Sequence, residues 1–130
     1  MNENRSTVLV VDDSPENIQI LAGILSAEFR TKIATDGEKA LKLAQKEPHP
    51  DLVLLDVLMP GMNGYEVCSQ LKANPATASI PVLFVTATVD QDEVARGKSI
   101  GAEGYLLKPL NPQTVIEAVR RTIRSPNGPP

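Results

Sequence analysis

The chain alternates short apolar runs with stretches of helical periodicity, and this alternation repeats five times. Thr7–Val11 is rich in β-branched residues and too short for a helix, and residues 51–56 contain the continuous apolar sequence of a strand buried on both faces. Further strands are predicted at 80–86 and 104–108, and the more polar 29–34 predicts an edge strand. The pattern therefore predicts an α/β fold, a doubly wound parallel sheet of five strands.

The first and last helices carry clear start signals. Ser14 is a suitable N-cap, and Pro15 stands at the first helical position, where its missing N–H costs nothing. Asn111 and Pro112 repeat this arrangement before the last helix. The apolar face of the last helix is expected to be buried at Val115, Val119 and Ile123.

The three middle helices are predicted at 37–46, Gly64–Ala73 and 90–99. The last of these begins with the acidic residues of a capping box, but it carries Gly97 in its interior and few large apolar residues. Because such a helix buries little apolar surface, we expect it to be the loosest of the domain.

Composition excludes several classes of protein. The chain has 130 residues, with 13 basic against 16 acidic side chains and a net charge of −3, which fits one domain. A single cysteine, Cys68, excludes a disulfide framework and favours a reducing compartment, so we expect a cytoplasmic protein. No apolar run is long enough for a membrane span. An acidic chain with four aromatic residues also lacks the basic, stacking surface of a direct nucleic-acid binder.

Chemically active residues stand at the carboxyl ends of four predicted strands. The first strand ends in Asp12 and Asp13, the third in Asp56, the fourth in Thr86 and the fifth in Lys108. Ligands of such sheets bind beyond the carboxyl ends of the strands. Two carboxylates about 4 Å apart repel by roughly 1 to 4 kcal/mol, so a cation is expected to offset the charge. Mg²⁺ suits these oxygen ligands.

Each of these residues alone also fits an ordinary turn or helix cap, and that alternative is the more common one for a single position. Acid, acid, hydroxyl and cation at four strand ends together favour a functional site. The nearest enzyme alternative is an aspartyl-phosphate phosphohydrolase, whose second aspartate lies two positions after the first. Here Ser14 takes the place of that aspartate after Asp12, and the chain is too short for a cap domain.

Four motifs, taken in order, resemble the receiver (CheY-like) domain of bacterial two-component response regulators over about residues 5–124. The motifs are Leu-Val-Val-Asp12-Asp13, Leu-Leu-Asp56-Val-Leu-Met-Pro-Gly, Val-Thr86-Ala and Tyr105-Leu-Leu-Lys108-Pro109. This resemblance implies a flavodoxin-like (βα)5 domain with strand order 2-1-3-4-5. The Pro-rich residues 125–130 are then expected to be a linker or tail, which leads to an absent output domain or ends a domain acting alone.

The resemblance also implies a role for each site residue. Asp56 would take a phosphoryl group from the phosphohistidine of a sensor histidine kinase or phosphotransfer protein. Asp13 and Asp56 would bind Mg²⁺ directly, Asp12 mainly through water, and the backbone carbonyl of Leu58 would complete the protein ligands. Lys108 would pair with a phosphoryl oxygen. Such a protein is a phosphoacceptor with at most slow dephosphorylation of its own, rather than a turnover enzyme.

Thr86 and Tyr105 resemble the switch pair of the family, in which the hydroxyl moves to the new phosphate and the aromatic ring turns into the vacated space. The bond between Lys108 and Pro109 matches a position that is cis in the family. We expect the outer face of the loose helix 90–99, with the last strand and helix, to bind an output domain, a partner protein or a second copy.

Two positions depart from the family pattern. Leu58 stands where many relatives carry a polar or basic side chain, and Thr88 stands where an acid or amide is frequent. Because Leu58 offers no polar side chain to orient an attacking water, we expect an altered lifetime of the phosphoryl group. The remaining alternative is a receiver-shaped interaction module that is never phosphorylated, against which the complete set of acid, hydroxyl and lysine argues.

Overall fold

A computed structural model describes residues 5–87 and 90–124. The expectations on Thr88 and on the tail 125–130 lie outside the described residues. Within these two ranges, five strands alternate with five helices. In chain order they are β1 (Thr7–Val11), α1 (Pro15–Leu25), β2 (Arg30–Ala34), α2 (Gly37–Gln45), β3 (Leu52–Asp56), α3 (Gly64–Ala73), β4 (Val82–Thr86), α4 (Gln91–Ser99), β5 (Gly104–Leu107) and α5 (Pro112–Arg124).

The five strands form one parallel sheet in the order β2-β1-β3-β4-β5, which confirms the predicted topology. β1 lies between β2 and β3, with Val11 opposite Leu55. The residues that follow β1 therefore stand level with Asp56, the last residue of β3. The register alone brings the acidic strand ends to one edge of the sheet.

Alternate side chains of each strand enter different cores, as the pleat of a strand requires. Leu9 and Val53 belong to the core beneath α2 and α3, whereas Val10 and Leu54 belong to the core beneath α1 and α5. All five residues of β1, β3 and β4 are buried. These three strands are the continuous apolar runs of the sequence, and both cores hold them in place.

Small differences from the predicted element bounds have local causes. Phe29 is not part of β2, because its N–H bonds the carbonyl of Leu25 at 2.8 Å and continues the end of α1. β4 begins at Val82 rather than Ile80, since Pro81 has no N–H to give to a ladder. Ile123, predicted to be buried, is only partly buried near the end of α5.

The helices differ in how much they bury. α1 buries Leu21 and Leu25, and α5 buries Val115 and Val119. Of the nine residues of α4, only Gly97 is buried. Helix α4 thus has the sparse packing from which its looseness was predicted, although its mobility stays a prediction. No helix in the described ranges combines the length and the apolar character needed to cross a bilayer.

Candidate functional site

Asp12, Asp13 and Asp56 meet at the carboxyl edge of the sheet. One carboxylate oxygen from each lies within 4.8 Å of the others. Asp12 and Asp56 are buried, whereas Asp13 is exposed. Three carboxylates this close, two of them shielded from water, repel one another strongly unless a cation or a proton intervenes.

The carboxylate of Asp12 indicates what kind of group would balance these charges. Its Oδ1 accepts the N–H of Ser14 at 2.9 Å, and the Ser14 side chain caps α1. Its Oδ2 is buried and has no hydrogen-bond partner among the residues that the structure describes. An unpaired, buried carboxylate oxygen is costly. A hard divalent cation such as Mg²⁺ fits this donor set, because it takes oxygen ligands and neutralises the surplus charge.

Asp56 has an unusual acidity for a carboxyl group. Burial and the charge of Asp12 raise its pKa from 3.8 to about 6, although the charge of Lys108 and a hydrogen bond from the backbone of Leu58 act in the opposite direction. The Nζ of Lys108 lies 3.9 Å from Asp56 Oδ1. An ionised carboxylate is a potential nucleophile, and the neighbouring ammonium can offset the negative charge of an incoming electrophilic group.

A close backbone approach sets the position of Asp56. A Cβ at Gly64 would overlap the backbone oxygen of Asp56 and would lie 2.9 Å from the Cα of Val57. The N–H of Gly64 donates to the carbonyl of Val57 at 2.9 Å. This role of Gly64 was not predicted, since its signal in the sequence is only a glycine at the first position of a predicted helix.

The backbone of Leu58 belongs to the site, whereas its side chain points into solvent. Its backbone N–H is hydrogen-bonded to the Asp56 carboxylate, and its side chain is 78% exposed. The ligand role of its carbonyl stays a prediction. The exposed side chain beside a buried acid means that a substitution at this position changes the rim of the site without changing the core.

The other predicted site residues come from β4 and β5. Thr86 is buried at the end of β4, and its backbone oxygen accepts the N–H of Lys108 at 2.9 Å. The peptide bond between Lys108 and Pro109 is cis, as expected. β4 and β5 thus bring Thr86 and Lys108 to the same edge as the three carboxylates.

Tyr105 lies on β5 and is half-buried against Phe84, with 5.3 Å between the ring centroids. Its hydroxyl donates to the backbone carbonyl of Glu93 in α4. Burial raises the pKa of Tyr105 above its usual value, so the phenol keeps its proton. A Cβ at Gly97 would collide with the Tyr105 hydroxyl. The glycine that weakens α4 therefore also makes room for this side chain.

Sequence reasoning missed the aromatic group around Tyr105. The Tyr65 ring packs on Phe84 at 4.9 Å, its hydroxyl lies 3.4 Å from that of Tyr105, and the Arg96 guanidinium lies 4.2 Å from its ring centroid. Residues from α3, β4, β5 and α4 make this group. No spacing within the chain signals contacts among four separate elements.

Comparison with known proteins agrees with the geometry. A model of the response regulator receiver domain matches residues 8–120. The DNA-binding response regulator MtrA of Mycolicibacterium smegmatis is 40% identical over 125 residues, which cover 95% of this chain and 53% of that protein. A probable cyclic di-GMP phosphodiesterase of Vibrio cholerae is 43% identical over 108 residues, which cover 83% of this chain and 24% of that protein.

Solved structures give the same result. The chemotaxis protein CheY4 of Vibrio cholerae superimposes with a TM-score of 0.85 at 34% identity, covering 90% of this chain and 98% of that one. The chain spans about half of the length of MtrA and about a quarter of the phosphodiesterase. The rest of each of these two relatives lies outside the match.

Proposed function

The chain belongs to the response regulator receiver domain family, and from this premise we propose that it is a Mg²⁺-dependent phosphoacceptor switch. Asp56 accepts a phosphoryl group from the phosphohistidine of a sensor histidine kinase or a phosphotransfer protein. The observation that carries the proposal is the contact of buried Asp56 with Asp12, whose second oxygen is unpaired, and with Lys108 at 3.9 Å.

In this reaction a carboxylate oxygen of Asp56 forms a bond to phosphorus while the P–N bond of the donor breaks, and the donor imidazole keeps the electron pair. Asp12, Asp13, Asp56 and the carbonyl of Leu58 would hold Mg²⁺. When bound, the ion offsets the negative charge of the carboxylates and of the phosphoryl oxygens.

Lys108 acts on the oxygens of the transferred group. Its ammonium faces Asp56 in the resting structure, and it pairs with a phosphoryl oxygen as negative charge spreads in a loose transition state. With a pKa of about 6, the Asp56 carboxyl is mostly ionised at neutral pH and is available as a nucleophile. The protein is the acceptor in this transfer and not a turnover enzyme.

Phosphorylation is read out through Thr86 and Tyr105. The Thr86 hydroxyl moves to the new phosphate, and Tyr105 adjusts between β4 and α4. Because Tyr105 bonds the carbonyl of Glu93, its orientation is coupled to the position of α4. We propose that the outer face of α4, β5 and α5 is the surface that binds an output domain, a partner protein or a second copy.

We further propose that residues 5–124 form the receiver domain, that residues 125–130 are a linker or tail, and that the protein works in the cytoplasm. The DNA-binding response regulator MtrA of Mycolicibacterium smegmatis is longer than this chain, and the match covers 53% of it. An output region of some kind is therefore the expected partner of this domain, whereas direct nucleic-acid binding by the receiver unit is not expected.

Phosphate incorporation tests the proposal. Incubation with a small phosphodonor and Mg²⁺ should label the wild type and Asp92→Asn, an exposed acid on α4 that serves as control, but not Asp56→Asn. Equal labelling of the wild type and Asp56→Asn would refute the assignment. No labelling of either, by small donors or by histidine kinases, would favour the non-phosphorylated interaction module. Steady turnover of a small phosphate ester would favour the phosphohydrolase.

The lifetime of the phosphoryl group tests the role of Leu58. We expect Leu58→Asn to change the rate at which label is lost, because an amide placed beside Asp56 can orient water. Ile20→Asn, which replaces another exposed apolar side chain away from the site, is the matched control. A lifetime equal to that of the wild type in both variants would remove this inference.

A further inference from the structure

Helix α4 buries little apolar surface of its own, and two tyrosine side chains contact it. Its one buried residue is Gly97. The hydroxyl of Tyr105 donates to the carbonyl of Glu93, and the guanidinium of Arg96 lies over the ring of Tyr65. Tyr105 thus contacts the backbone of α4 through a hydrogen bond, and Tyr65 contacts a side chain of α4 through a cation–π interaction.

The two hydroxyl groups form a short chain with a defined direction. A hydroxyl has one hydrogen to donate, and that of Tyr105 is committed to Glu93. The hydroxyl of Tyr65, 3.4 Å away, is therefore the donor and that of Tyr105 the acceptor. This separation exceeds the usual range of an O–H···O bond, so the bond is weak.

Ring packing adds to this weak bond. Phe84 lies between the two tyrosines, with centroid distances of 4.9 Å to Tyr65 and 5.3 Å to Tyr105. All three rings are tilted relative to their neighbours, as aromatic pairs prefer. Tyr65 is only 7% exposed. Its removal would leave space beside Phe84 and take away one wall of the site that holds Tyr105.

We propose that Tyr65 is a positioning residue for Tyr105, which it holds in its inward orientation, and that through Arg96 it helps to keep α4 on the sheet. The inference deepens the proposed function, because it adds a third side chain to the Thr86 and Tyr105 switch. The inward orientation exists in the resting protein, so this inference is testable without phosphorylation.

The composition of the chain makes the test direct, since Tyr65 and Tyr105 are its only tyrosines. Labelling with 3-fluorotyrosine gives two ¹⁹F resonances, and Tyr65→Phe or Tyr65→Leu leaves that of Tyr105 alone. Relaxation caused by a soluble paramagnetic chelate measures the exposure of Tyr105. Amide exchange of α4 relative to β3 measures local opening and is corrected for global destabilisation.

One variant supplies the reference for a displaced Tyr105. Gly97→Ala places a methyl group against the Tyr105 hydroxyl, and alanine is the better helix former. It should therefore move Tyr105 outward without weakening the helix itself. Gly23→Ala on α1, where no described atom lies within 4 Å of the added Cβ, controls for the change of glycine to alanine.

We expect Tyr65→Leu to shift Tyr105 toward the exposure seen in Gly97→Ala and to speed α4 exchange about fivefold or more relative to β3. Tyr65→Phe, which removes only the weak bond, should change both in the same direction by about twofold. A response in Tyr65→Leu alone would assign the positioning to ring packing and would support the inference.

Phe29→Leu, in the core beneath α1 and α5, shows what a distant aromatic loss does to the same measurements. The inference is overturned if both Tyr65 variants leave Tyr105 exposure and α4 exchange within the range of Phe29→Leu. If Tyr65→Leu does not fold, Tyr65→Met, which also removes the ring but keeps more of the buried volume, decides by the same criterion. Failure of phosphate labelling would leave this result unaffected, so the two proposals can fail separately.

Discussion

The carboxylate edge and the α4 region of this protein are built on opposite principles. Asp12 and Asp56 stand at the ends of β1 and β3, strands whose residues are all buried between two cores. Tyr105 stands on β5, which is largely half-buried or exposed, under a helix that buries one glycine. The groups proposed for chemistry thus stand on well-packed strands. The groups proposed for signalling lie where few contacts must be broken, so a rearrangement there costs little free energy.

This difference has a physical reason. Phosphoryl transfer needs charges held in fixed positions, because electrostatic stabilisation is lost when the groups must reorganise. A switch needs two arrangements of similar free energy, and sparse packing keeps their energies close. A single sheet satisfies both needs by placing its central strands and its edge strand in different packing environments.

Truncation of an apolar side chain should lower the free energy of unfolding much more in the central sheet than in α4. Leu55→Ala in β3 removes a fully buried side chain and should lower the free energy of unfolding by about 3 kcal/mol. Val94→Ala in α4 removes part of a half-buried side chain and should cost about 0.5 kcal/mol. Urea denaturation measures both. Similar losses would show that α4 is as firmly packed as the central sheet.

The close approach of Gly64 to Asp56 predicts the next largest effect. Gly64→Ala forces a methyl group against the backbone of Asp56 and Val57. This should lower the free energy of unfolding by about 2 kcal/mol. It should also weaken Mg²⁺ binding, because the carboxylate is displaced. Gly23→Ala has free space and should stabilise the protein by up to about 1 kcal/mol. Equal stability of the two variants would contradict the account.

The acidity of Asp56 predicts a pH-dependent effect. Its pKa is 3.8 in the unfolded chain and about 6 in the fold. The folded state therefore binds this proton more tightly, and the resulting stability is full below about pH 4 and is lost as pH rises through about 6. In Mg²⁺-free buffer at neutral pH, the free energy of unfolding of Asp56→Asn should exceed that of the wild type by about 1 kcal/mol, because a charge that repels Asp12 is gone.

The control for this prediction is Asp92→Asn, an exposed acid outside the cluster, whose stability relative to the wild type should change little over the same pH range. The advantage of Asp56→Asn should disappear near about pH 4. It should also disappear on addition of Mg²⁺, which stabilises only a site that binds it. A constant difference between Asp56→Asn and the wild type at all pH values would contradict the proposed repulsion.

The smallest predicted effect concerns the exposed cation on α4. Arg96→Gln removes the charge that lies over Tyr65 and should cost about 0.5 kcal/mol. The loss should appear as faster amide exchange in α4 and not in β3. Lys98→Gln, on the same helix and also exposed, is the control. Equal exchange in the two variants would show that the cation–π contact does not hold α4.

The fold was largely predictable from the chain because its signals are local. Apolar runs of strand length, the N-cap at Ser14, and Asn111 with Pro112 at the start of the last helix each act within a few residues. The strand order was not among these signals, since parallel pairing joins residues far apart, and it came from resemblance to a family. Element ends shifted by one or two residues where a backbone group found another partner, as at Phe29.

Only the part of the candidate site that follows from strand ends could be predicted from the sequence. Its acids stand at strand ends, so topology brings Asp12 and Asp56 together. The unpaired oxygen of Asp12, the close approach of Gly64 and the contacts of Tyr65 depend on distances between separate elements. Periodicity carries no information on such distances. The roles of the site residues, including the carbonyl of Leu58, stay predictions.

Chemical mapping of the phosphoryl group tests the central claim most directly. After reaction with a small phosphodonor, borohydride reduces an aspartyl phosphate to homoserine, and peptide sequencing locates the new residue. We predict homoserine at position 56, formed with Mg²⁺ and absent when the metal is chelated. Homoserine at Asp12, Asp13 or an acid outside the edge, or equal yields with and without Mg²⁺, would contradict the account.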